Sequence, residues 1–344
     1  MGERLKLGQY TIIAFFVLIT AGLSVYSWVG HFDESENNSA EKSSEPVKNK
    51  DSDESYFKVV DYYLLDGGKP FLQLEASELT ISAQNTVVIG FNPNGVIYRR
   101  NQKGLEEEPI FFSAKNSRGL MTNKELFLED TVDVKVGTSN LKSDKMNIYN
   151  GGKHMEATGN VKTTSFDAKT NDRLSITSDF AVYRPEQEFF EYQKNVRGQV
   201  QRARQYEENV TFTTDLLTLS APESLVEMKG NVAFKKGNLD ASSNKGTVFL
   251  ENYNKKLKYY SLSDDVRLQE TLTMDGKPLV RKAFAEKLEG FISEKRVVLT
   301  GLPKVFQGRD VIKGNRIIIR ENIETVEVDD ANTNITLERE KEKL

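Results

Sequence analysis

The sequence contains no cysteine. That excludes disulfides, thiolate metal sites, a thiol nucleophile and the lipid-carrying cysteine of a bacterial lipoprotein. Histidine is nearly absent: His31 and His154 are the two in the chain, so a zinc centre or a Ser-His-Asp triad would have to be built around one or both. An excess of positive charge is missing too. The 47 basic and 51 acidic residues leave a net charge of −4, the wrong sign for general nucleic-acid binding. There is no glycine-rich phosphate loop, no metal-ligand spacing and no nucleophile elbow. His154 with Glu156 would make an acid–base pair, but an isolated histidine on a strand surface is the plainer reading. The chain is therefore expected to be no enzyme, with no cofactor and no metal. Its 344 residues, 38% hydrophobic and 28% charged, give room for more than one domain and mostly suit folding in water.

What is present begins with one apolar run. No residue from Leu7 to Gly30 is charged, and Arg4 and Lys6 precede it. About 20 residues rising 1.5 Å each match a hydrocarbon core of about 30 Å. Residues 31–55 then carry eight acids and three lysines. The basic flank predicts a cytoplasmic N-terminus and a C-terminal bulk carried across the membrane. A cleaved signal peptide is the alternative; the length of the run and the weak small-residue signal around Ala21-Gly22 favour an uncleaved anchor. Residues 31–55 are too poor in apolar side chains to offset their ordering entropy, which predicts a flexible tether.

Beyond residue 56 the dominant pattern is alternation, broken at turn signals: Asp66-Gly67, Asn94-Gly95, Asn150-Gly151-Gly152, Gly237-Asn238 and Asp275-Gly276. Residues 281–292 are ambiguous between helix and strand, and their neighbours favour strand. The alternation also repeats. Val132, Val161, Val196, Val232, Val266 and Val305 are separated by 29, 35, 36, 34 and 39 residues, the sixth unit being longer by two. Four before the first five valines stand Leu128, Ala157, Tyr192, Met228 and Leu262; two after them stand Val134, Thr163, Gly198, Phe234 and Leu268. Alternate residues share one face of a strand, so each unit renews one apolar face. A Gly or Asp two before the valine suits a bulge that bends the strand. Stacked repeats of this kind bury their apolar faces against neighbours. On periodicity alone the interior is either a dry core or an apolar groove.

The same stretches resemble a known family. Phe71–Ala76, Gly95–Tyr98, Met155–Val161 and Tyr192–Val200 are similar to LptC, a membrane-anchored lipopolysaccharide-export protein. Met228–Phe234, Ala285–Gly290, Val297–Val305 and Ile312–Ile319 resemble LptA, the OstA-like domain. An ordinary LptC ends near where residue 202 lies, so the chain looks like LptC extended with, or fused to, an LptA-like portion. The resulting division is 1–30 cytoplasmic stub and anchor, 31–55 acidic linker, 56–202 LptC-like, 203–330 LptA-like and 331–344 charged tail. The fold class expected is all-β: an elongated open β-jellyroll of repeated antiparallel strands in two facing sheets, after one N-terminal transmembrane helix.

The resemblance implies a non-catalytic part of the lipopolysaccharide export bridge, in the bacterial inner membrane with its bulk in the periplasm. Lipopolysaccharide would arrive from an inner-membrane ABC transporter, contacted through the transmembrane helix and the N-terminal β edge. It would leave toward an LptA-like or outer-membrane LptD-like partner at the C-terminal β edge. No nucleic-acid partner is expected. The groove candidates are Leu128, Val132, Tyr192, Met228, Val232, Phe234, Leu262 and Val266, and the docking-edge candidates are Ile317, Ile318 and Ile319. Arg197, Arg202 and Arg204 are read as solvated, with contact to lipid phosphates at a groove mouth as the alternative. Two other readings stay open. One is a membrane-anchored β-repeat scaffold or adhesin with a dry core. The other is a groove that carries phospholipid.

Overall fold

The computed structural model describes residues 47–48, 54–82, 86–101, 104–167, 170–204, 208–250, 257–274, 277–320 and 326–329. The expected anchor at 1–30, the tail at 331–344 and most of the tether at 31–55 lie outside them. Among the described residues no helix is long and apolar enough to cross a membrane. Apart from one 3-10 turn at Pro185–Gln187, every described element is a strand, so the all-β expectation holds. The chain clusters into two compact units, one through Tyr192 and one from Gln193.

Up to the 3-10 turn the strands are β1 (Val47–Lys48), β2 (Glu54–Asp66), β3 (Lys69–Ser82), β4 (Val87–Phe91), β5 (Asn94–Ile97), β6 (Ile110–Ser113), β7 (Asn116–Leu120), β8 (Glu125–Val136), β9 (Ser139–Tyr149), β10 (His154–Phe166) and β11 (Arg173–Arg184). β12 (Phe189–Gln201) follows it. The rest are β13 (Val210–Ser220), β14 (Leu225–Lys236), β15 (Leu239–Leu250), β16 (Leu257–Met274), β17 (Lys277–Phe291), β18 (Arg296–Thr300), β19 (Lys304–Gln307), β20 (Asp310–Lys313), β21 (Arg316–Arg320) and β22 (Val326–Asp329). The ambiguous stretch 281–292 is therefore strand almost to its end. The pairing is antiparallel: β2 joins β3, β8 to β11 pair in turn, and so do β13 to β17.

In the first unit the pairing divides into two ladders. β3 pairs through Glu78–Ile81 with β4, and through Leu72–Glu75 with β5. β4 continues to β7 and β5 to β6, and both routes rejoin on β8. In the second unit β17 divides in the same way. Its Lys287–Phe291 end pairs with β18 and then β21, and its Arg281–Phe284 end pairs with β19 and then β20. Long strands such as β8, β10, β14 and β16 run through both ladders, with a register shift midway.

The shift has a local cause. Consecutive residues with positive φ occur at Asp130-Thr131, Gly159-Asn160, Lys194-Asn195, Gly230-Asn231, Asp264-Asp265 and Gly301-Leu302. Each pair stands immediately before a repeat valine, except the last, which precedes the buried Pro303. Gly, Asn and Asp tolerate this left-handed backbone best, which is why they recur there. Two such residues together bulge the strand and bend it from one ladder into the other. The sixth unit is longer by two because Val305 occupies the row two places beyond the others, paired with Ala283.

One turn signal differs from expectation. Asn94-Gly95 lies inside β5, and the chain bends instead before it, at Asn92, which has φ 50°. Gly95 is needed for close approach: a methyl there would lie 2.4 Å from the Gln73 carbonyl and 2.6 Å from the Phe112 ring. Asp275-Gly276 falls outside the described residues. At the other end, β1, within the stretch expected to be tether, pairs with Ser55 and Tyr56 of β2.

Candidate functional site

The buried side chains of each bent strand keep one parity on both sides of the bulge. In β14 they are Val226 and Met228, then Val232 and Phe234; in β16 they are Tyr260 and Leu262, then Val266 and Leu268. The two ladders of a unit therefore turn their apolar faces to a common interior, and each fully buried Leu, Val or Phe there contributes about 1.5–3 kcal/mol.

All eight groove candidates lie on this inner side. Leu128, Val132, Tyr192, Met228, Val232, Phe234, Leu262 and Val266 are each at most 5% exposed. In the second unit, Gly246 on β15 brings three of them together. A methyl group at its position would lie 2.8 Å from Met228, 3.2 Å from Leu262 and 3.3 Å from Val232. Phe234, in one ladder, stacks on Tyr260, in the other, at 5.0 Å between ring centroids. Gly290 makes room for that tyrosine, because a methyl there would come 2.1 Å from its ring. Leu128 and Val132 flank the bulge of β8 in the first unit and pair with Met146 and Ser143 of β9.

The first unit contains a narrow apolar cavity of about 50 Å³ between its ladders. Val134 and Leu141 line it from one side, and Met146, Met155, Phe190 and Tyr192 from the other. Tyr183 stacks on Phe190 at 4.2 Å. Tyr192 donates to the Thr163 hydroxyl at 3.1 Å, and burial pushes both phenols up, that of Tyr183 to about 12. Both tyrosines therefore stay neutral at physiological pH and add polarity only at the hydroxyl. A cavity of this size holds a water or two, against about 300–1,000 Å³ for pockets that enclose a small ligand. In the second unit a hollow of about 560 Å³ lies on the water-facing side of one ladder, lined mostly by outward side chains such as Thr213, Ala233, Lys235, Ser242, Arg267 and Lys282. Phe212, Phe234, Ala241 and Leu268 of the inner face also border it.

The edge candidates require correction. β21 pairs with β18 on one side and with β22 on the other, and Ile317 and Ile319 are 0% and 1% exposed. Ile317, Ile318 and Ile319 therefore do not offer an open edge. Among the described residues the outermost strand of that ladder is β22, and of the other ladder β20. At the N-terminal end, β2 pairs with β3 along its length and with β1 only at Ser55 and Tyr56. Among the described residues its other side is open from Phe57 onward. It exposes Val59 (88%), Tyr63 (57%) and Leu65 (59%) there.

His154 lies half-buried on β10 with its Nε2 2.8 Å from a Glu156 carboxylate oxygen and its ring against Tyr149. Among the described residues no group of three His, Cys, Asp or Glu side chains is placed to hold a metal. Arg197 is an exposed residue of β12, while Arg202 and Arg204 follow that strand.

One recurring set escaped the valine pattern. On the strands between the valine-bearing ones, Ser143, Ser178, Thr214 and Ser243 are buried at the bend, and each donates its hydroxyl to the carbonyl two residues on, at 2.8–3.1 Å. The acid after two of them holds the facing bulge: Asn160 donates to Asp144 and Asn231 to Asp215, both at 2.8 Å. The signal was legible as Ser-Asp, Ser-Asp, Thr-Asp and Ser-Asn at 143, 178, 214 and 243, with the spacing of the valines.

A repeating, bulge-bent antiparallel strand with an apolar inner face defines a class of β-repeat protein whose units share one interior each. Residues 112–216 and 211–325 each match the model of the family described as LptA/(LptD N-terminal domain) LPS transport protein. Together the matches cover more than half of the chain, and the chain belongs to that family. The first match lies mostly within the stretch likened to LptC. The crystal structure of LptH, the LptA-homologous periplasmic component of the lipopolysaccharide transport device of Pseudomonas aeruginosa, aligns at 17% identity with a TM-score of 0.33, over 37% of this chain and 95% of that one. No curated protein matches the chain.

Proposed function

We propose that the protein is a non-catalytic component of the periplasmic lipopolysaccharide bridge and that acyl chains pass through the apolar interior of its units. The observation that carries this reading is an unbroken cross-strand row in the second unit. Phe212, Phe234, Ala241, Leu268, Ala283, Val305 and Ile312 are successive partners on six neighbouring strands and β20, all apolar and all on one face. Such a row runs across the strands and offers acyl chains a surface without a polar step. Each methylene exposed to water costs about 0.8 kcal/mol, so a lipid with several chains crosses an aqueous space only when they are covered. Sugars and phosphates stay in water. Because the interior of the first unit leaves a cavity of only about 50 Å³, cargo enters by parting the two ladders.

The finer reading is an LptC-like protein held in the inner membrane by Leu7–Gly30. β2 contacts the ABC transporter, and the C-terminal edge contacts an LptA-like or LptD-like partner. The open side of β2 supports the first contact, since an unpaired strand is a template for another. The narrow interior favours a second reading, a dry β-repeat scaffold that binds no lipid.

A photoreactive amino acid in the full chain separates the two. At Val232, buried at the bend of β14, it crosslinks to lipopolysaccharide. At Lys229, on the exposed side of the same strand, it does not. Equal yields at the two positions, or none at either, would favour the dry scaffold.

A further inference from the structure

One step outward from the apolar row, the same face changes character. Successive partners there are Lys236, Leu239, Glu270, Arg281, Gln307 and Asp310. At its centre Arg281 donates from Nη1 to Glu270 at 3.1 Å and from Nε to Gln307 at 3.0 Å. The arginine and glutamate side chains are 0% and 1% exposed. No register shift separates Val266 from Glu270, or Arg281 from Ala283. The pair therefore faces the same interior as Val266, Leu268 and Ala283. Beyond it the face is apolar again, at Leu272 and its partner Leu279.

A charged pair in an apolar interior carries a desolvation cost that a hydrophobic pair would avoid, so stability alone does not account for it. The first unit supplies a comparison. The equivalent row there, four places after each valine, reads Val136, Ser139, Ser165 and Leu174. Across it Ser139 and Ser165 share a 2.9 Å hydrogen bond, and no charged side chain stands in the row. The charged row is a feature of the second unit.

We propose that Glu270, Arg281 and Gln307 form a polar stop that ends the acyl-bearing part of the second unit's interior. Fatty chains lie against Leu268 and Ala283 and do not pass to Leu272 and Leu279. This rests on the reading that acyl chains occupy the interior and adds where they end. The physical reason is that methylene groups wedged into the stop would displace the polar partners of a buried ion pair and return no hydrogen bond. Carboxylate and guanidinium balance each other, so the stop repels acyl chains without attracting a phosphate.

The test uses the full chain in cells making lipopolysaccharide, with a photoreactive amino acid at Val232, Leu268 or Leu272. Val232 and Leu268 crosslink to lipopolysaccharide, and Leu272 does so about tenfold less or not at all. In the double variant Glu270→Met with Arg281→Met, which removes both charges together, the yield at Leu272 rises toward that at Leu268. Equal yields at Leu268 and Leu272 in the unsubstituted chain would overturn the stop, and so would a folded double variant in which Leu272 stays silent. Should the double variant fail to fold, the comparison in the unsubstituted chain decides. A signal at Val232 without one at Leu268 also overturns the stop, whereas silence at all three positions overturns the lipid reading itself.

Discussion

Gly230 and Asn231 have φ 79° and 47°, and the bend of β14 depends on that pair of left-handed residues. Gly230 has a second constraint. A methyl group on it would lie 2.4 Å from the Asp215 carboxylate that Asn231 holds. Gly230→Ala therefore strains the backbone and displaces the acid, and should lower unfolding free energy by about 1–3 kcal/mol. A chemical denaturation series checks this; an unchanged midpoint would show that the bend tolerates a side chain. At this scale the valines and their in-phase neighbours were readable, because period two and a repeat of about 35 residues leave little choice of face. The Ser/Thr-Asp pairs at 143, 178 and 214 recur visibly in the sequence, but their burial does not show there. A hydroxyl bonded to the carbonyl two residues on looks in sequence like any polar surface position, although its side chain is buried here.

Among elements, β2 is unusual in being apolar on both faces. Val60, Tyr62 and Leu64 alternate with the exposed Val59, Tyr63 and Leu65. An open strand edge with such side chains is ordinarily blunted by charge. On the proposed docking of β2 to an export transporter, replacing Tyr63 and Leu65 together with lysine should weaken capture of that transporter by about tenfold or more and leave the melting temperature nearly unchanged, because both side chains are already exposed. Unchanged pull-down would place the contact elsewhere. The opposite edge shows why the sequence misleads. Ile317, Ile318 and Ile319 form the most β-prone run near the C-terminus, and a strong strand former attracts partners on both sides. β18 and β22 take both positions. Asn94-Gly95 misled for the opposite reason, since a sequence typical of tight turns was used here to let Phe112 approach.

On the scale of the whole molecule, the family matches at 112–216 and 211–325 each take in three of the six repeat valines. The chain thus carries the same bent-strand device twice, once with a neutral outer row and once with a charged one. The repeat, the all-β class and the apolar face were all legible in the sequence. The polar stop was not, because Glu270 and Arg281 are ordinary charged residues until the register sets them on the inner face.

The measurement that bears most directly on the central claim is mass spectrometry of the lipids that remain with the full chain after gentle extraction. The account predicts lipopolysaccharide or its lipid A portion. Phospholipid alone, or a folded protein carrying no acyl lipid at all, would contradict it.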